Sequence, residues 1–250
     1  MQIRFDDKTV AVSGAGHGFG RCVAETFTQL GACVFGCDLS AAELAETAKA
    51  GVNTQVLDLT DRGAAAAWIA QIEQTTGGAV DVLVNNAGGV AEQEMHPIEE
   101  VPDADWDRVF AVNIGAAFAL SRAVAAGMKR AGSGRIVNIS SGAGLGPSLT
   151  GIQAYCSAKH AVVGLTRQLA HELGPFGITV NSVAPGFVRS NAASERQWSA
   201  YGEEGQKALV ERIAMKRLGT AQDIANSVAF FASELAAFVN GQVLAVDGGK

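Results

Sequence analysis

Short apolar segments alternate along this chain with longer segments in which apolar residues recur at helical spacing. Most of the short segments are apolar throughout, which predicts strands buried on both faces, as in a parallel sheet covered by helices. The predicted strands span residues 9–12, 33–37, 54–57, 80–84, 135–139, 178–183 and 242–246. The predicted helices span residues 19–30, 41–50, 62–76, 104–130, 152–173 and 221–233. This alternation predicts a doubly wound α/β fold, with a parallel seven-stranded sheet and helices on both faces.

One stretch interrupts the alternation. Residues 187–217 lie between the sixth predicted strand and the last predicted helix, and they are polar and mixed in charge, with Trp198 and Tyr201 embedded. Long excursions from a compact sheet are usually functional loops or lids. We therefore interpret this segment as a substrate lid within a single domain of residues 1–250. The alternative is a pair of surface helices.

Composition narrows the class of protein. The chain has 250 residues, of which 48% are hydrophobic, and this suits one domain with a sizeable core. The net charge is -6 and the basic residues are scattered, so we expect no nucleic-acid partner. The four cysteines form no C-x-x-C pair, which predicts no metal site and reduced thiols in a cytoplasmic protein. No apolar run reaches about 18 residues, so we expect no membrane span.

A glycine-rich motif, S-G-A-G-H-G-F-G, follows the first predicted strand and opens the first predicted helix. Its glycines allow tight turns and let the backbone approach a pyrophosphate, while the helix N-terminus offers free N–H groups to the phosphates. The motif therefore predicts a dinucleotide site. The candidate cofactor-binding residues here are Ser13, Gly14, His17, Gly18, Phe19 and Gly20.

Asp38 ends the second predicted strand, about 20 residues beyond the glycines, where a carboxylate accepts hydrogen bonds from the adenosine ribose. The same carboxylate would repel a 2′-phosphate, and the next residue is Leu39 rather than an arginine. Asp38 therefore favours NAD over NADP, although a partial positive charge on His17 would weaken this preference. The alternative, that Asp38 caps the following helix, competes with the better-placed Ser40.

Two further motifs follow predicted strands and join the candidate cofactor site. Asp58 and Leu59 come after the third strand and suit contact with the adenine edge, but a turn-forming Asp is equally plausible. N-N-A-G comes after the fourth strand. Its asparagine side chains, including Asn86, can brace neighbouring loops, while Ala87 and Gly88 leave room for a ribose. The alternative is an ordinary Asn-Gly turn.

Tyr155 and Lys159 lie four residues apart in a stretch of strong helical character. Residues at this spacing share one helix face and lie about 6 Å apart along the axis. A lysine ammonium there would lower the pKa of the phenol from its reference of about 10. This predicts an acid/base group that works near neutral pH.

Two polar residues complete the candidate catalytic set. Ser141 follows the fifth predicted strand, where its hydroxyl can hydrogen-bond a substrate oxygen. Asn113 lies among apolar neighbours in the long helix before that strand, where a buried amide needs partners. Asn113 can hold a water that connects Lys159 to solvent. The alternative is an internally satisfied asparagine that bends the helix.

Together these motifs resemble the short-chain dehydrogenase/reductase family along essentially the whole chain. They comprise the glycine motif, N-N-A-G, the helical Asn, the Ser, Y-x-x-x-K, P-G at 185–186 and a C-terminal V-D-G-G. The resemblance implies a Rossmann-type fold and a homotetramer. It also implies that Ser141 orients the substrate oxygen, that Tyr155 is the acid/base, that Lys159 lowers its pKa while binding the nicotinamide ribose, and that Asn113 supports a water-linked proton relay.

The resemblance extends the cofactor site to the segment after the sixth strand. The residues implied there are Pro185, Gly186, Val188 and Ser190, the last two at the nicotinamide carboxamide. Ser13 and Ser190 each stand where the family usually has Thr. A hydroxyl group is therefore kept at both positions. Of the adjacent serines at the fifth strand, Ser141 aligns as catalytic and Ser140 is expected to brace the loop.

The implied reaction is reversible hydride transfer between NAD and a secondary alcohol. The candidate substrate residues are Glu92, Gln93, Arg189 and Arg196. This polar lining favours a sugar, a polyol or a keto-deoxy sugar acid, whose carboxylate Arg189 or Arg196 can pair. The alternative for each is a solvated surface residue.

Three rival functions stay open. The first is a 3-oxoacyl-carrier-protein reductase, supported by Lys129 and Arg130 but opposed by Asp38 and by Phe176, which stands where such reductases tend to place an Arg. The second is a general secondary-alcohol dehydrogenase. The third is a non-catalytic NAD-binding protein.

Overall fold

A computed structural model describes residues 3–250, and its seven strands form one parallel sheet in the order β3-β2-β1-β4-β5-β6-β7. The strands are β1 Thr9–Ser13, β2 Cys33–Asp38, β3 Asn53–Val56, β4 Val82–Asn85, β5 Gly134–Ile139, β6 Ile178–Pro185 and β7 Val243–Val246. The predicted seven-stranded parallel sheet is confirmed. β4 begins at Val82, two residues later than predicted, although the Asp81 backbone already bonds to Thr9 and Arg135 on the neighbouring strands.

Helices cover both faces of the sheet, as predicted. They are α1 Gly18–Gln29, α2 Ala41–Ala48, α3 Arg62–Thr76, α4 Asp103–Phe110, α5 Ala116–Ala131, α6 Gln153–Leu173, α7 Ala192–Ala200, α8 Gly202–Arg212 and α9 Ala221–Ala232. One core lies under α1 and α9 and contains Phe27 and Ile224. The other lies under α3, α5 and α6 and contains Trp68, Leu120 and Leu173. The sheet is therefore doubly wound.

The long helix predicted at 104–130 is continuous from Asp103 to Ala131 but contains a π-helical turn at Ala111–Gly115. By length and composition alone this helix could cross a membrane. Leu120, Val124 and Met128 are buried in the core against the sheet. We therefore describe it as a core helix.

The 187–217 segment contains α7 and α8, so its conformation is the helical pair that we had given as the alternative. Phe187 stacks on Trp198 and contacts Tyr201, which holds the first part of the segment together. At its end, the Ala214 and Met215 N–H groups donate to carbonyl oxygens of the C-terminal Gly248–Gly249 pair. The segment is thus anchored at both ends.

The strand order reverses between β1 and β4, which pair directly through Val10 and Val82. In open α/β sheets, a ligand crevice forms beyond the carboxyl ends of the strands at such a point. The glycine motif, N-N-A-G and the Ser141 loop all follow strands at this edge. The fold therefore brings most of the sequence-predicted site residues to one side of the sheet.

Candidate active site

The glycine motif forms a close turn that leads into α1. Gly14 and Gly18 have positive φ angles of 65° and 57°. A Cβ on Gly20 would collide with the Gly14 carbonyl oxygen. His17 begins the helix without a side-chain cap, so the first N–H groups of α1 stay available. This cradle, with its free helix N-terminus, fits a pyrophosphate.

Ser13 acts on the neighbouring loop. Its buried hydroxyl accepts hydrogen bonds from the Asn86 and Ala87 N–H groups at 3.0 Å each and donates to the Val84 carbonyl at 3.3 Å. The Asn86 amide donates to the Ser13 and Gly14 carbonyls at 3.1 and 3.0 Å. The predicted bracing role of Asn86 is therefore confirmed, and Ser13 shapes the cofactor cradle through these contacts.

Asp38 lies against the glycine turn. Its carboxylate accepts hydrogen bonds from the Gly16 N–H at 3.0 Å and the Ser40 N–H at 3.2 Å. The cap of α2 is Ser40, whose hydroxyl accepts the Glu43 N–H, so the capping role falls to Ser40 as expected. The nearby Arg21 donates to the Gly16 carbonyl and pairs with Glu43. Glu43 therefore offsets the cation beside this turn.

Asp58 and Leu59 have structural roles at the end of β3. One Asp58 oxygen accepts the Thr60 N–H at 2.9 Å and the Thr60 hydroxyl at 2.7 Å, and these bonds lower the pKa of the Asp58 carboxyl. This is the turn-forming alternative. The Leu59 side chain is buried in the core, so only its backbone can face a cofactor.

Lys159 is 4% exposed, and its ammonium donates to the Ile139 carbonyl at 3.0 Å. Burial lowers the pKa of Lys159 to about 8. A Cβ on Gly88 would lie 3.3 Å from the Lys159 Nζ and closer still to the Asn113 Oδ1. Lys159, Gly88 and Asn113 therefore meet at one point beneath the site.

Tyr155 shares the α6 face with Lys159, but its electrostatics differ from our expectation. Burial raises the pKa of the Tyr155 phenol, and the Ser141 hydroxyl lowers it by a smaller amount. The Lys159 Nζ lies 5.7 Å from the centre of the Tyr155 ring. Loss of solvation thus opposes the lowering of the phenol pKa that we expect from the Lys159 ammonium.

Asn113 lies in the π-helical turn and is 1% exposed. Its amide nitrogen donates to the Gly89 and Val109 carbonyls at 2.8 Å each, and its oxygen accepts the Gly89 N–H at 3.0 Å. The side chain is thus the internally satisfied amide that we had given as the alternative. These contacts hold the loop after β4 in place, and the water relay at Asn113 stays a prediction.

The two adjacent serines make different contacts. The Ser140 hydroxyl donates to the Lys159 carbonyl at 3.0 Å, which confirms that Ser140 braces the loop. The Ser141 hydroxyl accepts the Ala143 N–H at 3.1 Å and influences the Tyr155 phenol. Ser141 and Tyr155 therefore face the same space.

The segment after β6 returns to the glycine turn. Gly186 donates its N–H to the Val246 carbonyl and follows Pro185, the last residue of the strand. Val188 is buried, and the Ser190 carbonyl and hydroxyl lie against Gly18. These placements put the base of the 187–217 segment beside the cofactor cradle.

The substrate candidates are placed differently from one another. Arg189 forms a two-oxygen ion pair with Glu195 and lies over the Trp198 ring, so its guanidinium is not free for a carboxylate while this pair holds. Arg196 is exposed and makes no ion pair within residues 3–250. Glu92 is also exposed, with a φ angle of 61°.

Gln93 is 4% exposed, and neither end of its amide has a hydrogen-bond partner among the described residues. Leaving such a group unsatisfied costs about 1–3 kcal/mol. Val90 and Ala91, in the same loop, pack on the apolar cluster that also supports Tyr155. Gln93 therefore occupies an unfavourable polar position in a loop that borders the site.

Sequence reasoning missed Gln153 and Cys156, which flank Tyr155. Gln153 donates to the His96 carbonyl at 2.9 Å, while its own carbonyl oxygen is buried without a partner. The Cys156 thiol lies 3.3 Å from the Ala143 carbonyl oxygen. Their proximity to Tyr155 in the sequence was the available signal, but their partners lie in loops whose conformation the sequence pattern does not reveal.

Comparisons with known proteins agree with this geometry. A model of the family described as Enoyl-(Acyl carrier protein) reductase matches residues 14–250. The 3-oxoacyl-[acyl-carrier-protein] reductase FabG of Escherichia coli (strain K12) is 35% identical and aligns with 99% of this chain and 98% of its own. The 2-(S)-hydroxypropyl-CoM dehydrogenase 3 of Xanthobacter autotrophicus (strain ATCC BAA-1158 / Py2) is 37% identical, and the alignment covers 100% of this chain and 98% of that protein.

A solved structure extends the likeness to three dimensions. A Beutenbergia cavernae protein, provisionally assigned as an NAD(P)-dependent gluconate 5-dehydrogenase, is 37% identical and superposes with a TM-score of 0.87. The match covers 98% of this chain and 97% of that chain, whose structure holds NADP at low occupancy. The similarity thus spans both the cofactor cradle and the residues around Tyr155.

Proposed function

Since the chain belongs to the short-chain dehydrogenase/reductase family, we propose that it transfers hydride reversibly between NAD and a secondary alcohol of a sugar, polyol or keto-deoxy sugar acid. The coarser statement, an oxidoreductase that acts on alcohol or keto groups and binds a nicotinamide cofactor, follows from the family itself. The observation that carries the proposal is the meeting of Ser141, Tyr155 and Lys159 at the carboxyl edge of the sheet.

Each residue has a defined task in this reaction. In alcohol oxidation, the deprotonated Tyr155 oxygen takes the proton of the substrate hydroxyl. Hydride leaves the carbon that bears this hydroxyl. The Ser141 hydroxyl donates to the oxygen that becomes the carbonyl. The bound nicotinamide supplies the hydride acceptor. Lys159 provides positive charge beneath the phenol, and Asn113 fixes the Gly89 backbone beside it.

The preference for NAD is supported by Asp38. Its carboxylate is fixed beside the glycine turn, where it would meet a 2′-phosphate, and Arg21 is paired with Glu43. A cofactor with free ribose hydroxyls can instead donate hydrogen bonds to Asp38. The structure of the Beutenbergia cavernae relative holds NADP, so the preference of this chain for NAD has to be measured directly with both cofactors.

A polar substrate is supported by Gln93, because a substrate hydroxyl or carboxylate can provide the partner that its amide lacks. The 187–217 segment would then act as a lid over this space, with its base at Ser190 beside the cofactor cradle. The relative assigned to gluconate oxidation is consistent with such a substrate.

A 3-oxoacyl-carrier-protein reductase is the second candidate, favoured by the likeness to the Escherichia coli enzyme. The cations that would attract an acidic carrier have local partners here. Lys129 lies over the Phe176 ring at 4.7 Å and 3.9 Å from Glu172, and Arg130 lies 3.6 Å from Glu73. These contacts leave less positive charge for a carrier protein.

The test is a substrate panel with the purified protein. Sugar acids, sugars, polyols and simple secondary alcohols are incubated with NAD or NADP, and 3-oxoacyl thioesters are incubated with NADH or NADPH. We expect reduction of NAD with polar alcohols. Tyr155→Phe should lower turnover by about 10²–10⁴-fold, because the proton acceptor is lost. The variant should still bind NADH, as measured by fluorescence titration.

Two results would contradict the proposal. Turnover retained in Tyr155→Phe would reject the catalytic assignment. Activity confined to NADPH and acyl thioesters would instead identify the carrier-protein reductase, and activity confined to apolar alcohols would identify a general alcohol dehydrogenase.

We also infer a cytoplasmic homotetramer, the assembly common in this family. β7 is an edge strand, Leu244 is partly exposed, and Phe238 is fully exposed. Of the small residues that permit close packing, Ala116 and Ala117 are buried within the chain and serve its own core. Light scattering on the purified protein would measure the assembly.

A further inference from the structure

The loop that carries Ser141 is tied to helix α6 on both sides of that serine. Before it, the Ser140 hydroxyl donates to the Lys159 carbonyl at 3.0 Å. After it, the Cys156 sulfur lies 3.3 Å from the Ala143 carbonyl oxygen and 3.5 Å from that of Gly146. The thiol therefore donates its hydrogen to the loop and closes it against α6.

Ala143 links this thiol to the candidate catalytic hydroxyl. Its N–H donates to the Ser141 hydroxyl oxygen at 3.1 Å, while its carbonyl oxygen accepts from Cys156. One residue thus connects the side chains of Ser141 and Cys156. A shift of Ala143 would move the donor that orients the Ser141 hydroxyl.

The neighbouring histidine does not compete for the thiol hydrogen. The His160 Nδ1 lies 2.9 Å from the Cys156 carbonyl oxygen, and this bond requires the hydrogen on Nδ1. The same nitrogen therefore cannot accept from the Cys156 sulfur, 3.8 Å away. The carbonyls of the Ser141 loop are the acceptors left to the thiol.

We propose that Cys156 is a positioning residue, whose thiol fixes Ala143 and thereby holds the Ser141 hydroxyl in register with Tyr155. The inference rests on the proposed roles of Ser141 and Tyr155. A misplacement of about 1 Å can lower turnover by about 10²-fold. Because Ser140 still ties one side of the loop, we expect a smaller effect when the thiol is lost.

The experiment compares Cys156→Ala, which removes the donor, with Cys156→Ser, which keeps one. Cys156→Ala should lower kcat by about tenfold, leave the KM for NAD within about twofold, and move the rise of kcat/KM with pH to higher pH. The last effect follows because a displaced Ser141 no longer lowers the pKa of Tyr155. Cys156→Ser should recover most of kcat.

The matched control is Cys22→Ala. This thiol is also half-buried, lies 3.5 Å from the Gln222 Oε1 and packs on the core under α1 and α9. It should leave kcat and the pH profile unchanged. Thermal unfolding of each variant separates a loss of fold from a loss of catalysis.

A double-mutant comparison identifies the route of the effect. If Cys156 acts through Ser141, then Cys156→Ala should lower kcat little further in a Ser141→Ala background. Three results would overturn the inference. They are an unchanged kcat in Cys156→Ala, an equal loss of kcat from Cys156→Ala in the wild-type and Ser141→Ala backgrounds, and a kcat in Cys156→Ser as low as that of Cys156→Ala. If Ser141→Ala turns over too slowly for this comparison, the test rests on the pH displacement in Cys156→Ala and on the recovery of kcat in Cys156→Ser. An unchanged kcat in Ser141→Ala would instead reject the proposed function.

Discussion

Lys159 holds its charge in a nearly dry position. Its ammonium has the Ile139 carbonyl as its acceptor, and burial brings the pKa of Lys159 down to about 8. Below that pH the lysine keeps its proton and can bind ribose hydroxyls. Tyr155, on the same helix face, is shifted by burial in the opposite direction along the pH scale. The pair therefore favours a charged lysine beneath a neutral phenol at neutral pH.

This arrangement predicts the pH dependence of alcohol oxidation. Oxidation needs the phenolate, and burial raises the pKa of Tyr155, so the phenolate is a minor species that increases with pH. We expect kcat/KM for oxidation to rise by about tenfold per pH unit between about pH 6 and 7, below the pKa of Lys159, where the lysine is protonated. Carbonyl reduction needs the neutral phenol and should be flat over that range.

Initial rates in both directions, at constant ionic strength, would measure these profiles. A plateau for oxidation already at pH 6 to 7 would mean that the Lys159 ammonium outweighs burial. That outcome would restore the pKa direction that the Tyr155–Lys159 spacing alone predicts.

Asp38 is the residue at which cofactor choice is decided in this proposal. Asp38→Ala removes the negative charge beside the glycine turn, so the ratio of kcat/KM for NAD to that for NADP should fall by about tenfold or more. Asp38→Asn is the matched variant, because it loses the charge but keeps a hydrogen-bonding oxygen near the Gly16 N–H. Steady-state kinetics with both cofactors would measure the ratio, and an unchanged ratio would remove Asp38 from the selectivity argument.

At the scale of elements, the long helix shows what hydrophobic periodicity can and cannot predict. The pattern gave a helix over 104–130, close to the continuous helix from Asp103 to Ala131. It did not reveal the π-helical turn at Ala111–Gly115, because one wide turn hardly changes the apolar spacing. That turn contains Asn113, whose amide bonds to Gly89. The helix was predictable from the sequence, and its π-helical turn was not.

The 187–217 segment carries a prediction about substrate charge. Arg189 and Glu195 are both about half-exposed, so solvent screens their ion pair and the pair adds little to stability. Glu195→Gln should weaken this pair and free the Arg189 guanidinium for a substrate carboxylate. We expect the KM for keto-deoxy sugar acids to fall by about two- to tenfold, with the KM for neutral polyols unchanged.

Kinetics on one acidic and one neutral substrate would measure this difference. Glu211→Gln is the matched control, because Glu211 pairs with Lys216 near the other end of the segment. Equal changes in KM for acids and polyols would show that Arg189 does not bind a substrate carboxylate.

At the scale of the whole molecule, the sheet and the edge that holds the site follow from sequence. Buried apolar strands, glycines after β1 and polar residues after β4 and β5 are signals within single segments. The environments of Gln93 and Cys156 depend on contacts between loops. Two residues beside Gln93, Ala91 and Glu92, have positive φ angles of 50° and 61°, which no local pattern predicts for residues other than glycine.

The position of β4 beside β1 has a consequence for the order of events during folding. β1, β2 and β3 are joined by the shorter crossovers, and they carry the glycine turn and Asp38. Ser141, Tyr155 and Lys159 come from later elements, whose strands must close longer loops before they pair, at a cost in chain entropy that slows the search. We therefore expect the nucleotide half to form early, with catalytic competence the last property that the refolding chain regains.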